Sequence, residues 1–540
     1  MILTISNLSQ YGIVKDVQPH ELPASAFTDG KNVRFRDGYA ERFSGHLAAF
    51  GTPTVAPYFL LPVPRPSDYY WIYGGLTKVY VVNSGGTHTN ITRETTPASG
   101  TDVNYNATVD LNWTGGVLGG VPFLNNAIDP PQVWEPVSTG QRLLPMDYVT
   151  GSSTWASVVY SCRAMRTFKD YLVALDIDKN GTRYPTMVKW SHPAVAGAQP
   201  VSWDETDTTR DAGEYSISQT PGYVLDCLPL RDTNIIYKED SVWGMQYIGG
   251  VFIFRFFQIF RDIGALSRRC AVEFQAGQHA LFGSGDCVIH DGQTMRSILS
   301  QKLRSWLFNQ MDPQYLARSF TALVWESKEV WFCYVPVGET LPTQAVTWNW
   351  ESNAVGVRDL PSVTSLEQGQ IFVTSVSDTW DGGPATTWDG GTGTWGERGY
   401  QLSQPEPLAA SPGDTLLHEL NNGLQFNGTD YESYVERTGL GLPPANSGSL
   451  PDISSMKFCR RVWPRIEGTN GQTVEVTLGA QNTIDGSVTW QNPIDYVIGS
   501  SARIDTRLRG RMLAYRVRTT SAVDWRLLGI DFDVDKSGHF

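Results

Sequence analysis

The stretch Asp176-Ile177-Asp178-Lys179-Asn180-Gly181 copies the first half of a calcium-binding loop, with oxygen ligands at alternate positions ahead of a glycine. The twelfth position, where such a loop needs a bidentate glutamate, is Met187. Without that ligand the segment reads as a solvated hairpin turn, because Asp, Asn and Gly favour turns for their own reasons. A metal-dependent enzyme would have to hold its ion at Asp176, Asp178 and Asn180 alone.

Trp380-Asp381-Gly382-Gly383, Trp388-Asp389-Gly390-Gly391 and Trp395-Gly396-Glu397 form a short repeat of tryptophan followed by turn residues. Aromatic faces spaced this way suit stacking on sugar rings; packing of the indoles between a sheet and an outer loop is the plainer reading. Asp381 and Asp389 are the nearest approach to the paired carboxylates of a glycosidase, but both precede Gly-Gly and read as turn formers. The eight histidines are dispersed, with no H-E-x-x-H, no G-x-S-x-G, and no phosphate-binding glycine loop ahead of a helix. No catalytic residue, cofactor-binding residue or metal ligand is assigned, and no enzymatic activity is expected.

Arg503, Asp505, Arg507, Arg509 and Arg511 stand at every second position, with Ile504, Leu508 and Met512 between them. That alternation is a strand with one charged face, able to grip an acidic partner or nucleic acid, or simply to be solvated against Asp505, Asp531, Asp533 and Asp535. Aromatic residues are not interleaved, so a polar subunit interface suits it better than a single-strand nucleic-acid groove. Beyond Gly510 the apolar positions shift to Leu513, Tyr515 and Val517, and a bulge at Gly510 is expected.

The elements that must carry these residues are short strands. Residues 280–298, ALFGSGDCVIHDGQTMRSI, hold two apolar strands around Gly283-Ser284-Gly285-Asp286 and a second reversal at Asp291-Gly292. Similar units recur at 32–42, 70–92, 120–134, 168–191, 234–254, 329–350 and 370–402. Seven or eight meanders at this spacing, in a chain with 52 Gly, 31 Pro and only 18% charged residues, predict an all-β fold: a β-propeller with an additional C-terminal β-sandwich-like domain. One short amphipathic helix is expected where Leu299, Leu303, Trp306 and Leu307 recur at helical spacing before Asp312-Pro313. Ser284, Asp286, His290 and Asp291 coincide with turns of the 280–298 unit and carry no chemistry of their own.

The expected organisation is an N-terminal arm over 1–30, the propeller over 31–415, a hairpin and linker over 416–454, and a C-terminal β domain over 455–540. Residues 455–540 hold 12 Lys plus Arg against 9 Asp plus Glu, and the remainder holds 30 against 46, so a +3 domain joins a −16 body in a chain of net charge −13. An acidic body argues against unspecific phosphate binding by the whole surface, while acidic walls would let DNA slide. The six cysteines show no metal spacing and read as buried thiols. Met1-Ile2-Leu3-Thr4 does not begin a secretory signal. The apolar run 251–260, about half the ~20 residues of a spanning helix and interrupted by Arg255, predicts a strand and no membrane-spanning segment.

Several motifs together resemble the tail nozzle proteins of short-tailed bacteriophages, also called tail tubular or head-to-tail stabilisation proteins. They are Tyr11-Gly12-Ile13-Val14, Asn32-Val33-Arg34-Phe35-Arg36-Asp37-Gly38 and Arg42-Phe43-Ser44-Gly45 near the start, then Asp262-Ile263-Gly264-Ala265-Leu266-Ser267, Tyr431-Glu432-Ser433-Tyr434-Val435-Glu436-Arg437-Thr438-Gly439, and Arg509-Gly510-Arg511. The resemblance implies a structural virion protein without an active site or cofactor. Six copies would form a ring below the portal and adaptor, around a channel that retains packaged DNA and conducts it during ejection. Its implied partners are itself as a homohexamer, the adaptor or head-to-tail connector proteins, a tail fibre or needle/tip protein, and passing genomic DNA read without sequence specificity. The implied location is the virion tail, with assembly in the host bacterial cytoplasm. The competing expectation, resting on Trp380 to Trp395, is a carbohydrate-binding or glycan-degrading β-propeller, a lectin or tail-associated glycosidase.

Overall fold

A computed structural model describes every residue of the chain except 66–67, 97–98, 372–404, 443–450 and 540. Antiparallel strands make up almost all regular structure, and they fall into two compact units. One comprises Met1–Leu47, Ile263–Pro361 and Asn421–Phe540; the other comprises Ala48–Asp262 and Ser362–Leu420.

The second unit is a β-propeller, built from five four-stranded antiparallel meanders among the described residues. Their first strands are Phe59–Pro64, Thr114–Leu118, Tyr160–Phe168, Val224–Leu230 and Ser365–Gly369. These lie side by side in the order Ser365–Gly369, Phe59–Pro64, Thr114–Leu118, Tyr160–Phe168, Val224–Leu230. The fifth blade takes Glu406–Ser411 and Leu416–Leu420 and is completed by His46–Ala49, a strand that precedes the first blade in the chain. Ring closure by the two ends of the propeller segment leaves no long open edge.

Neighbouring blades share apolar layers. Phe168, Tyr171, Val173 and Trp190 of the third blade pack with Ile236, Trp243, Met245 and Phe254 of the fourth. Between the first and second blades, Trp113 lies so close to Gly74 that a Cβ there would sit 2.8 Å from the indole, and its Nε1 donates to Gly75 O at 2.8 Å. Glycine at 74 is therefore a packing requirement, since any side chain would displace a fully buried tryptophan.

The first unit contains two further four-stranded sheets and a sandwich. The strands Ala271–Gln275, Gln278–Phe282, Cys287–His290 and Met295–Ser297 form one sheet, and Phe320–Val324, Glu329–Tyr334, Gln344–Asn349 and Val355–Asp359 form the other. The sandwich pairs two six-stranded sheets. The first runs in the order Val33–Arg36, Tyr39–Arg42, Trp525–His539, Ser455–Gly468, Ile504–Gly510, with Ile2–Ser6 also on Trp525–His539. The second runs Asp29–Lys31, Ser433–Leu440, Met512–Thr519, Thr473–Gln481, with Thr489–Trp490 and Ile494–Val497 beyond. Tyr515 of one sheet meets Phe532 of the other at 5.8 Å between ring centroids, inside the sandwich.

Local elements follow the expectations from sequence, but their grouping differs. The hairpins at 33–42, 278–297 and 329–349 form as expected, yet all three belong with the sandwich unit and not with the five blades. The boundary expected after 415 would cut Leu416–Leu420 off from its partner Glu406–Ser411 in the fifth blade, and Ser433–Leu440 pairs with Met512–Thr519 instead of forming a separate hairpin. Residues 1–30 are no free arm, because Ile2–Ser6 and Asp29–Lys31 are strands of the sandwich. Short segments remote in sequence complete each other's sheets, which local patterning cannot signal. The helix is shorter than its apolar spacing suggests: Arg304–Gln310 is helical, while Leu299 and Leu303 are buried in the turn before it. The apolar run at 251–260 yields the strand Phe254–Arg261, and no described helix is long and apolar enough to cross a membrane.

Candidate functional site

The charged strand is the most distinctive surface of the sandwich unit. Ile504–Gly510 alternates as expected, with Ile504 and Leu508 buried and Arg503, Asp505, Arg507 and Arg509 exposed. It pairs with Ser455–Gly468 on one side and ends the sheet on the other, so its second row of backbone groups meets no strand among the described residues. Asp505 is shared by Arg503 at 3.2 Å and Arg461 at 3.6 Å; Arg465 reaches Asp531 at 3.1 Å and Arg460 reaches Asp535 at 2.6 Å. Arg507 and Arg509 have no carboxylate within 4.0 Å among the described residues. Local acids neutralise one end of this face, and the Arg507–Arg509 end remains cationic.

Gly510 is not the site of a bulge. The chain leaves the first sheet there and enters the second at Met512, with Arg511 N donating to Gln481 O at 3.1 Å across the corner. A Cβ at 510 would stand 2.7 Å from Ala480 Cβ, so the crossing needs glycine for closeness rather than for an unusual φ. The expected flip of the apolar face is real; a change of sheet produces it.

Inside this unit three buried arginines bind main-chain carbonyls instead of carboxylates. Arg42 donates to Val523 O at 2.9 Å and Leu424 O at 2.9 Å and stacks on Tyr431; Arg437 donates to Pro19 O at 2.7 Å and Leu22 O at 2.9 Å. Arg358 donates to Asn421 Oδ1 at 2.7 Å and Ser44 O at 3.2 Å, between the rings of Trp331 and Phe43. Burial lowers Arg358 to about 10, with repulsion from Arg34 adding to it, and burial lowers Arg437 to about 10. Each guanidinium ties together segments hundreds of residues apart. Nothing in their sequence surroundings marks them, since no acid stands at a pairing distance in the chain.

On the first strand of the third blade, Arg166 makes a bidentate contact with Asp226 of the fourth, 2.7 Å at each nitrogen, and reaches Gly115 O of the second at 3.4 Å. Burial alone would lower the arginine; Asp226 and Glu367 reverse that and hold it above its ordinary value. The fork joins three blades and neutralises the carboxylate that faces it, which suits a structural lock.

The calcium-like segment has a different role from a metal loop. Asp176 is buried in a register shift within Tyr171–Lys179, φ 54°, and its carboxylate takes Arg183 Nε at 2.8 Å. Asp178 accepts Gly181 N at 2.8 Å, and the reversal itself is only Asn180-Gly181, both at positive φ. Trp380, Asp381, Trp388, Asp389 and Trp395 lie outside the described residues. In the 271–297 sheet, Asp286 accepts from Ser297 Oγ, Asp291 caps its turn through Gln293 N and Thr294 N, and His290 is buried. No group of three or more His, Cys, Asp or Glu side chains suited to a metal occurs among the described residues.

The third blade holds a charge network that sequence reading missed. Buried Lys189 contacts Glu205, and also Glu214 at 3.3 Å, while Lys179 reaches the same two carboxylates at 3.2 and 2.6 Å. Tyr148 donates to Glu205 at 2.8 Å. Burial would raise the Glu205 carboxyl, but Lys189 and the hydrogen bonds outweigh it and hold it at about 2.

No protein-family model and no curated protein matches the chain. Among solved structures, PorZ, a surface component of the type-IX secretion system of Porphyromonas gingivalis, is similar at TM-score 0.34 and 8% identity over 75% of this chain. The chain spans 43% of the length of that protein. The WD40 domain of Toxoplasma gondii coronin is similar at TM-score 0.34 and 7% identity, over 64% of this chain and 82% of that one. An exo-β-1,3-galactanase from Phanerochaete chrysosporium is similar at TM-score 0.24 and 9% identity, over 91% of this chain and 100% of that one. Likeness at these levels says nothing of what this chain does; the fold assignment rests on its own sheet topology.

Proposed function

We propose that this chain is a structural subunit of a short-tailed phage virion: the tail nozzle, six copies of which form a ring for DNA retention and ejection below the portal and adaptor. The observation that carries the reading is the exposed edge strand Ile504–Gly510, whose Arg507 and Arg509 have no carboxylate within 4.0 Å among the described residues, on a chain of net charge −13. A basic edge and an acidic body on one chain favour head-to-tail contact between copies, the geometry that closes rings. The motif resemblance along the chain supplies the virion role, with adaptor, fibre or tip proteins and passing DNA as its partners. Arg166, Asp226, Glu205 and Glu214 are engaged in cross-strand ion pairs, as a load-carrying scaffold requires.

Charge reversal tests the reading. The Arg507→Glu/Arg509→Glu variant is expected to keep the wild-type thermal transition, because both side chains are exposed, and to lose the oligomer in sedimentation velocity at physiological salt. A wild-type chain that stays monomeric at micromolar concentration in the presence of its connector would overturn it.

A further inference from the structure

At the fourth blade, the turn between Gly213–Ser216 and Val224–Leu230 stands beside the start of Ser241–Tyr247 and the end of Phe254–Arg261 and borders an open cleft of about 290 Å³. Gln219, Asp240, Gln258, Arg261 and Asp262 line it. All five carry planar polar groups, the kind that bind two neighbouring hydroxyls at once. Asp240 and Asp262 supply carboxylate acceptors, the two glutamines can donate and accept, and Arg261 Nε is turned to Gln258 Oε1 at 3.0 Å. Two carboxylates against one guanidinium disfavour an anionic ligand and suit an uncharged one rich in hydroxyls.

Aromatic surface adjoins the cleft. Tyr215 is 36% exposed, stacks on Phe256 at 4.5 Å and 11°, and takes a hydrogen bond from Gln219 Nε2 at 2.7 Å through its hydroxyl. Tyr223 is 45% exposed but carries the Arg183 guanidinium over its ring at 4.6 Å, and its main-chain N–H donates to Glu239, next to Asp240, at 3.0 Å. An exposed tyrosine beside convergent polar groups, as Tyr215 is, offers what a pyranose ring needs, one face for its C–H bonds and an edge for its hydroxyls.

The loop that shapes the cleft is fixed from below. Lys238 is buried and donates to Ile217 O at 2.9 Å, Thr220 O at 2.6 Å and Thr220 Oγ1 at 3.1 Å, and Trp243 Nε1 donates to Thr220 Oγ1 at 3.1 Å. An ammonium holding three acceptors of one turn sets that turn before any ligand arrives, which lowers the ordering cost of binding.

We propose that this cleft is a binding site for a neutral saccharide, one or two hexose rings, with Tyr215 as the stacking surface and Asp240, Asp262 and Gln219 as the hydroxyl-binding edge. The proposal rests neither on ring assembly nor on the Trp380 to Trp395 repeat. Saturation-transfer NMR on the full chain with lactose, maltose and cellobiose, followed by titration of the best, tests it. Saturation of sugar ring protons is expected, with affinity falling at least tenfold in Tyr215→Ala and in Asp240→Ala. These positions are exposed, so an unchanged melting curve confirms that each variant is folded. No transfer to any of the sugars, or equal transfer in the variants, would overturn the proposal. So would binding confined to sulfated or phosphorylated sugars and abolished by Arg261→Ala, which would make the cleft an anion site.

Discussion

The buried arginines are where single residues matter most. Removing Arg437 leaves the Pro19 and Leu22 carbonyls without their donor in a dry interior. Arg437→Ala is expected to lower the unfolding free energy of the sandwich unit by about 3 kcal/mol, and Arg437→Lys to recover only part of it, since an ammonium cannot fork to several acceptors. Denaturant titration followed by fluorescence checks both. Acid should act on the two units at different pH. Burial, with His279 beside it, lowers His290 to about 3 from 6.5. The unfolded chain therefore takes up a proton that the folded one refuses, and the sandwich unit loses stability as pH falls below 6.5 toward 3. Glu205, at about 2 in the fold against 4.5, stabilises the propeller above 4.5, and this is lost as pH falls from there toward 2. A His290→Gln variant should flatten the melting temperature between pH 6.5 and 3 for the transition of the sandwich unit only. At this scale the sequence was legible where chemistry is local: Asp178, Asn180 and Gly181 make a turn because of their own conformational preferences. Arg166 with Asp226, or Lys189 with Glu205, were hidden because each pair is set by strands that meet only after folding.

Among the elements, the Arg503 to Arg511 alternation was fully legible, since a period of two with Ile504, Leu508 and Met512 inward leaves one reading. The reason for its break at Gly510 was not, because a bulge and a change of sheet give the same shift of face. Their difference lies in Ala480, 2.7 Å from where a Cβ at 510 would sit and thirty residues away in sequence. Gly510→Val is therefore expected to cost roughly 1–3 kcal/mol by overpacking the corner, read as a lower thermal midpoint, whereas a free bulge would tolerate it. The hairpin signals at Asp37-Gly38 and Asn180-Gly181 were each realised with both residues at positive φ, as two-residue turns of that type require.

For the molecule as a whole, repeated meanders revealed the all-β class and the propeller. They did not reveal which meanders belong to it, since every four-stranded sheet carries the same turn chemistry whether it joins the ring or not. Membership is decided by the ends: His46–Ala49 completes the fifth blade, and Ile2–Ser6 and Asp29–Lys31 enter the sandwich. Deleting residues 1–28 should uncover the Trp525–His539 strand along Ile2–Ser6 and take away the Pro19 and Leu22 carbonyls that Arg437 holds. The truncated chain is expected to melt lower and to aggregate through the exposed edge. Arg507 and Arg509 have no carboxylate within 4.0 Å among the described residues, and the proposed ring gives them one. The measurement that bears most directly on this is the symmetry of the assembled particle, seen in class averages of the purified full chain with its connector. The account predicts a closed six-copy ring around an open channel, with Ile504–Gly510 at the contact between copies. A monomer, or a ring closed through another surface with Arg507 and Arg509 facing solvent, would contradict it.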